Sequence, residues 1–190
     1  MKALIETLSR FTEDPSGQTE LLAQKMPLGM AMGGYLLGAT CLALWFEGGD
    51  FSLAGFVFGW LFFAVIITLT GFVSSCTSHL FLELTGANGR ATGLFVLGGI
   101  SSTAMCALFP LEAIVRINNT AAGPHFSAFF LAVMIQAILL VFMIGRAYKV
   151  SSAKAVLAVV MPFMLAFATM MFLALFALGM LIAAIIAALM

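Results

Sequence analysis

Charge is what this sequence has least of. Lys, Arg, Asp and Glu make up 8% of 190 residues, eight basic against eight acidic, for a formal net charge of +0. Soluble domains run at about 25%. So few polar side chains cannot cover the core of a soluble chain this long. A balanced charge also offers no electrostatic footprint for nucleic acid. Chemistry-bearing residues are as scarce. There are two histidines, His79 and His125, and three cysteines, Cys41, Cys76 and Cys106. The cysteines all fall inside apolar runs and read as small packing residues rather than a disulfide or metal set. No Asp/Glu cluster repeats at helical spacing, and no glycine-rich phosphate loop of the Walker type occurs. The sequence therefore predicts no enzyme, no metal and no cofactor.

What it has instead is apolar length. Hydrophobic residues make up 63% of the chain, and the mean hydropathy is +1.17. About 20 apolar residues span the hydrocarbon layer as a helix. The expected fold is an all-α polytopic membrane helix bundle: a polar segment, 1–25, then one domain, 26–190, with five transmembrane helices. The spans fall at 26–46, 52–82, 91–115, 126–148 and 155–188. The second exceeds what a perpendicular crossing needs, so it tilts or protrudes. The last stretch carries no charge and would measure roughly 54 Å as one helix. It is either one long helix, bent at Pro162, or two short ones.

Residues 1–25 carry seven charges and lack the apolar core of a signal peptide. Ala3, Leu4, Leu8 and Phe11 share a helical face, so this segment is either an amphipathic helix on the membrane surface or a polar tail. With five spans, Lys2, Arg10, Lys25, Arg90, Arg146, Lys149 and Lys154 fall on one side and Arg116 alone on the other. Basic residues stay cytoplasmic. The N-terminus is thus expected in the cytoplasm and the C-terminus outside; a sixth span would return the C-terminus to the inside. His79 and His125 then lie a membrane thickness apart and cannot share a haem or zinc.

The one polar interruption of the apolar middle is His79 to Gly93. Gly86 and Gly89, flanking Asn88, predict a tight reversal there, with Arg90 just after it. The preceding run, Ser74 to His79, is the best candidate site. Ser75, Ser78, His79 and Glu83, with Gln136 facing them, would line a polar cavity open to the cytoplasm; the plainer reading is interhelical hydrogen bonding. Glu83 lies one helical turn beyond His79, with Arg90 available as a partner across the turn. Gly29, Gly33, Gly34 and Gly38 in the first span, and Gly55 and Gly59 in the second, form small-xxx-small pairs expected at close helix contacts. Pro110 predicts a kink or a frayed end in the third span. Glu112 and Arg116 are spaced for an ion pair on one helix face.

A span ending in His79, then Leu84-Thr85-Gly86-Ala87-Asn88-Gly89-Arg90, then a small-residue helix ending at Phe109-Pro110, resembles the Yip family. These are Ypt/Rab-interacting five-span membrane proteins and their bacterial relatives. Tyr148, Lys149 and Lys154 match the family's basic loop before the fifth span, and the resemblance covers residues 26–175. It implies a non-enzymatic protein that organises membrane or serves as a scaffold or subunit of a membrane assembly. Its expected partners are membrane lipids and other membrane proteins or further copies of itself. Eukaryotic members carry a long N-terminal region with an Asp-Leu-Tyr-Gly-Pro-like motif. This chain lacks it, so small-GTPase binding is not implied, and the bacterial branch, in the inner membrane, fits better. The Ser74–His79 run supports a competing expectation, a small transporter or channel subunit.

Overall fold

The computed structural model describes residues 17, 19, 25, 27–47, 52–118 and 126–189. Among them the chain is all helix: α1 (Leu28–Glu47), α2 (Leu53–Leu84), α3 (Ala91–Ser102), a 3-10 segment (Thr103–Ala107), α4 (Leu108–Asn118), α5 (Phe126–Ala147) and α6 (Ser152–Leu189). Five stretches are long and apolar enough to cross a membrane: α1, α2, the α3–α4 unit, α5 and α6. Residues 1–25, expected to be polar or amphipathic, lie almost wholly outside the described residues.

Local chemistry sets the helix ends. The carbonyl of Pro27 accepts the amides of Met30 and Ala31 at the start of α1. Ser52 caps α2 by accepting the amide of Gly55 at 3.3 Å. At the far end of α2, Gly86 takes φ +83°. The amides of Gly86 and Ala87 return to the carbonyls of Glu83 and Leu82. That is a Schellman termination, whose left-handed position suits glycine. The same motif ends α5. The amides of Lys149 and Val150 return to Arg146 and Gly145, but here Lys149 holds the left-handed position, at φ 52°.

The third span is broken rather than bent. Pro110 is the third residue of α4 and has no N–H to offer the carbonyl of Cys106. The chain tightens into the 3-10 turn just before it and restarts as an α-helix at Leu108. Pro162 behaves differently. α6 runs through it without interruption, and the carbonyl it would strand, four residues back at Ala158, accepts the Ser78 hydroxyl of α2 at 2.6 Å. A defect in one helix is repaired by the side chain of another. The final stretch is thus a single 38-residue helix.

α3 is the hub, packed against α1, α2 and α5. Its contact with α1 is backbone on backbone. A Cβ at Gly34 would strike the carbonyl of Gly99, and one at Gly38 would meet Ser102 at 3.0 Å. Of the expected glycines in α1, Gly34 and Gly38 therefore make the close contact. Gly29, Gly33 and Gly59 have no neighbour within 4 Å of a built Cβ; small-xxx-small spacing marks a stripe, and adjacent helical residues point about 100° apart. Tyr35 fills the seam beside this contact. Its ring lies where side chains at Gly71 and Gly98 would stand, and its hydroxyl donates to the carbonyl of Phe95. α6 is the opposite case. Ala155 and Ala158 are fully buried, but every described side chain from Phe163 to Met180 is exposed.

Candidate functional site

α2 and α5 each pack against α3 and α6 but stand apart from one another. Between them lies a cavity of about 330 Å³, lined also by residues of α1, α3 and α6. That is the size of a small-molecule site. The wall is mostly apolar, with polar groups from Tyr35, Thr70, Ser74, Ser75, Ser78, Ser101, Ser102 and Gln136, and no charged side chain or histidine.

Most of those hydroxyls are already engaged. Ser75 donates to Gly71 at 2.6 Å, Ser101 and Ser102 donate to Gly98, and Ser78 donates to Ala158. Such back-bonding is how Ser and Thr sit inside an apolar helix. Gln136 is the exception. It stands at the middle of the 22-residue α5 and donates its amide N–H to the Ser102 hydroxyl at 3.2 Å. Its carbonyl oxygen has no protein partner among the described residues. An unpaired amide oxygen in an apolar cavity at mid-helix is a waiting acceptor, since leaving it unmade costs about 1–3 kcal/mol.

Of the residues expected to form a polar cavity, the structure brings together Ser75, Ser78 and Gln136. It leaves out His79 and Glu83, which belong to a second cluster at the end of the bundle. There Tyr148 donates to the carbonyl of Arg90 at 2.8 Å, its hydroxyl also lies 3.3 Å from His79 Nδ1, and its ring packs against Gly89. Burial pushes the Tyr148 hydroxyl up to about 12, so it remains a neutral donor at neutral pH. Glu83 sits 3.8 Å from His79 Nε2 rather than pairing with Arg90. Such an exposed contact contributes little. One side chain from the α5–α6 turn thus pins the α2–α3 loop, with His79 as an anchor beside it.

Glu112 reaches another helix. It is buried, 9% exposed, and accepts the indole N–H of Trp45 at 3.0 Å; the side chain of Arg116 lies outside the described residues. Sequence reasoning missed this pair, although a signal existed. Trp45 ends the first span and Glu112 the third, so a five-span topology puts both at one depth. The thiols of Cys41 and Cys106 likewise meet, 3.4 Å apart. No group of three His, Cys, Asp or Glu side chains able to hold a metal occurs among the described residues.

Compared with family models, with curated proteins and with solved structures, the chain finds no match. The likeness to the Yip family rests on the residues quoted above.

Proposed function

We propose that this chain is a non-enzymatic integral membrane protein that holds a small, uncharged, amphipathic guest in the cleft between α2 and α5. The observation that carries this reading is Gln136, an amide with an unpaired oxygen at mid-helix in an uncharged cavity of ligand size. A wall without a charged side chain or histidine favours neither ions nor proton relay, and the Gln136 amide oxygen gives a polar handle an acceptor. The guest would enter sideways, from the lipid, because α2 and α5 do not close on each other. This keeps the transporter or channel-subunit expectation but opens the cavity to lipid rather than to the cytoplasm. Non-enzymatic Yip-like character, a bacterial inner membrane and an N-terminus in the cytoplasm belong to the same proposal; the seven-to-one distribution of basic residues supports the orientation.

The test is accessibility inside the bundle. In a background with Cys41, Cys76 and Cys106 replaced by Ala, a cysteine at Ala137, on the cavity wall, should react with a small membrane-permeant maleimide. One at Leu97, fully buried, should not. Gln136→Leu should slow the Ala137 site by filling the cleft with apolar bulk. Equal labelling at Ala137 and Leu97 would refute an open cleft.

A second reading, subunit of a membrane assembly, is favoured by α6, whose described side chains from Phe163 to Met180 are all exposed. Intermolecular disulfide formation by a cysteine at Met170, in the same background, would support it.

A further inference from the structure

We propose that a pocket at the Tyr148 end of the bundle holds the phosphate group of an anionic membrane lipid. The pocket, about 570 Å³, lies between the α2–α3 loop and the α5–α6 turn. Two lysines border it. Lys154 is fixed across it, its ammonium donating to the carbonyl of Thr85 at 3.1 Å, and Lys149 stands exposed on the opposing turn. No carboxylate lines it. Glu83, the acidic residue nearest to it in the α2–α3 turn among the described residues, sits on α2 against His79.

Further donors converge there. Ser151 caps α6: its carbonyl accepts the amide of Ala155, and its hydroxyl lies 3.5 Å from the amide of Lys154. Ser151, at the start of α6, is itself part of the pocket wall. A helix of this length presents partial positive charge at that end. Asn88 adds a side-chain amide from the facing loop. These groups suit a phosphate, which accepts from several directions at once.

Depth selects the lipid as its source. The pocket opens where the apolar spans end, at Leu84, Ala147 and Ser152, which is headgroup level for a helix crossing the bilayer. Basic pockets at that level take acidic headgroups. Ala87, Ala147 and Val150 give the pocket an apolar side, where a glycerol stem can lie. Leu82, Leu94, Ile144, Tyr148, Ala155 and Ala158 pack together between this pocket and the cleft. The two sites are separate, and this one stands whether or not the cleft binds a guest.

The experiment is a thermal-unfolding titration of the full chain in neutral detergent with dioleoylphosphatidylglycerol, dioleoylphosphatidylcholine or inorganic phosphate. Phosphatidylglycerol should raise the midpoint at concentrations where the other two do nothing. Lys149→Gly and Lys154→Gln should each raise the concentration needed by roughly fivefold. Lys149→Gly removes the charge at a left-handed position that glycine prefers, so it keeps the fold intact. An equal response to phosphatidylcholine overturns the proposal. So does a double variant that responds like the parent, and so does inorganic phosphate matching the anionic lipid.

Discussion

The α1–α3 contact and α6 hold to the same bundle in opposite ways. α1 and α3 meet along glycines, with carbonyl groups of one helix against the Cα atoms of the other, and Tyr35 and Phe95 seal the seam with rings 4.9 Å apart. α6 is nearly twice as long as α1, yet among its described side chains only those of the first turns are covered. Its attachment rests on two alanines, the Ser78 bond to Ala158 and the Lys154 bond to Thr85. Where lipid is as apolar as the side chains, burial alone gives helices little reason to associate. Close backbone packing or a few hydrogen bonds must supply it, and this molecule uses one on each side.

The largest effect expected is at the glycine seam. Gly34→Leu should lower the thermal midpoint in detergent sharply, by about 3 kcal/mol or more, because the group in its way is backbone and cannot rotate aside. Gly33→Ala, one residue away with nothing nearby, should instead be neutral or stabilise by up to about 1 kcal/mol. If the two behave alike, the seam is not the contact described.

The α6 side predicts a coupling rather than a clash. Ser78→Ala should cost about 1–3 kcal/mol by orphaning the Ala158 carbonyl. Pro162→Ala gives that carbonyl back a helical donor, so Ser78→Ala in the Pro162→Ala background should cost far less. A double-mutant cycle by thermal or denaturant unfolding reads this directly. Additive losses would mean that the serine is not repairing the proline.

Smaller effects follow at the bundle end and on the bare helix. Tyr148→Phe keeps the ring against Gly89 but loses the bond to the Arg90 carbonyl, for about 0.5–1.5 kcal/mol. Proteolysis should then reach the α2–α3 loop faster. Met170→Ala, on the uncovered part of α6, should change unfolding of the monomer by less than about 0.5 kcal/mol. A large loss there would point to a neighbour on α6 and blur the contrast between the two sides.

The sequence made the spans readable because each is a run of apolar residues bounded by Pro, Gly, Ser or charge. It also made the Gly86 turn readable, since Gly-Ala-Asn-Gly after an apolar run leaves few alternatives. It did not show which glycines meet another backbone. Gly33 and Gly34 are identical in type and neighbours in sequence, and only the rotation of α1 about its axis separates them. The candidate cavity was half legible for the same reason. Ser75, Ser78 and His79 fall near one face of α2, but α6 crosses that face at Ser78 and lines the cleft, and His79 lies outside. The bond from Trp45 to Glu112 was not legible because local spacing shows partners along one helix, such as Arg116, and Trp45 comes from another.

The Tyr148 pin has a consequence in time. Its partner, Arg90, lies 58 residues earlier in the chain. At synthesis rates of about 5–20 residues per second, the loop exists for roughly 3–12 s before the tyrosine that fastens it has been made. During that interval α2 and α3 are a hairpin with a loose tip, and neither lysine of the basic pocket yet exists. A nascent chain stalled before residue 148 should therefore leave Asn88 open to protease, and one stalled well beyond it should not.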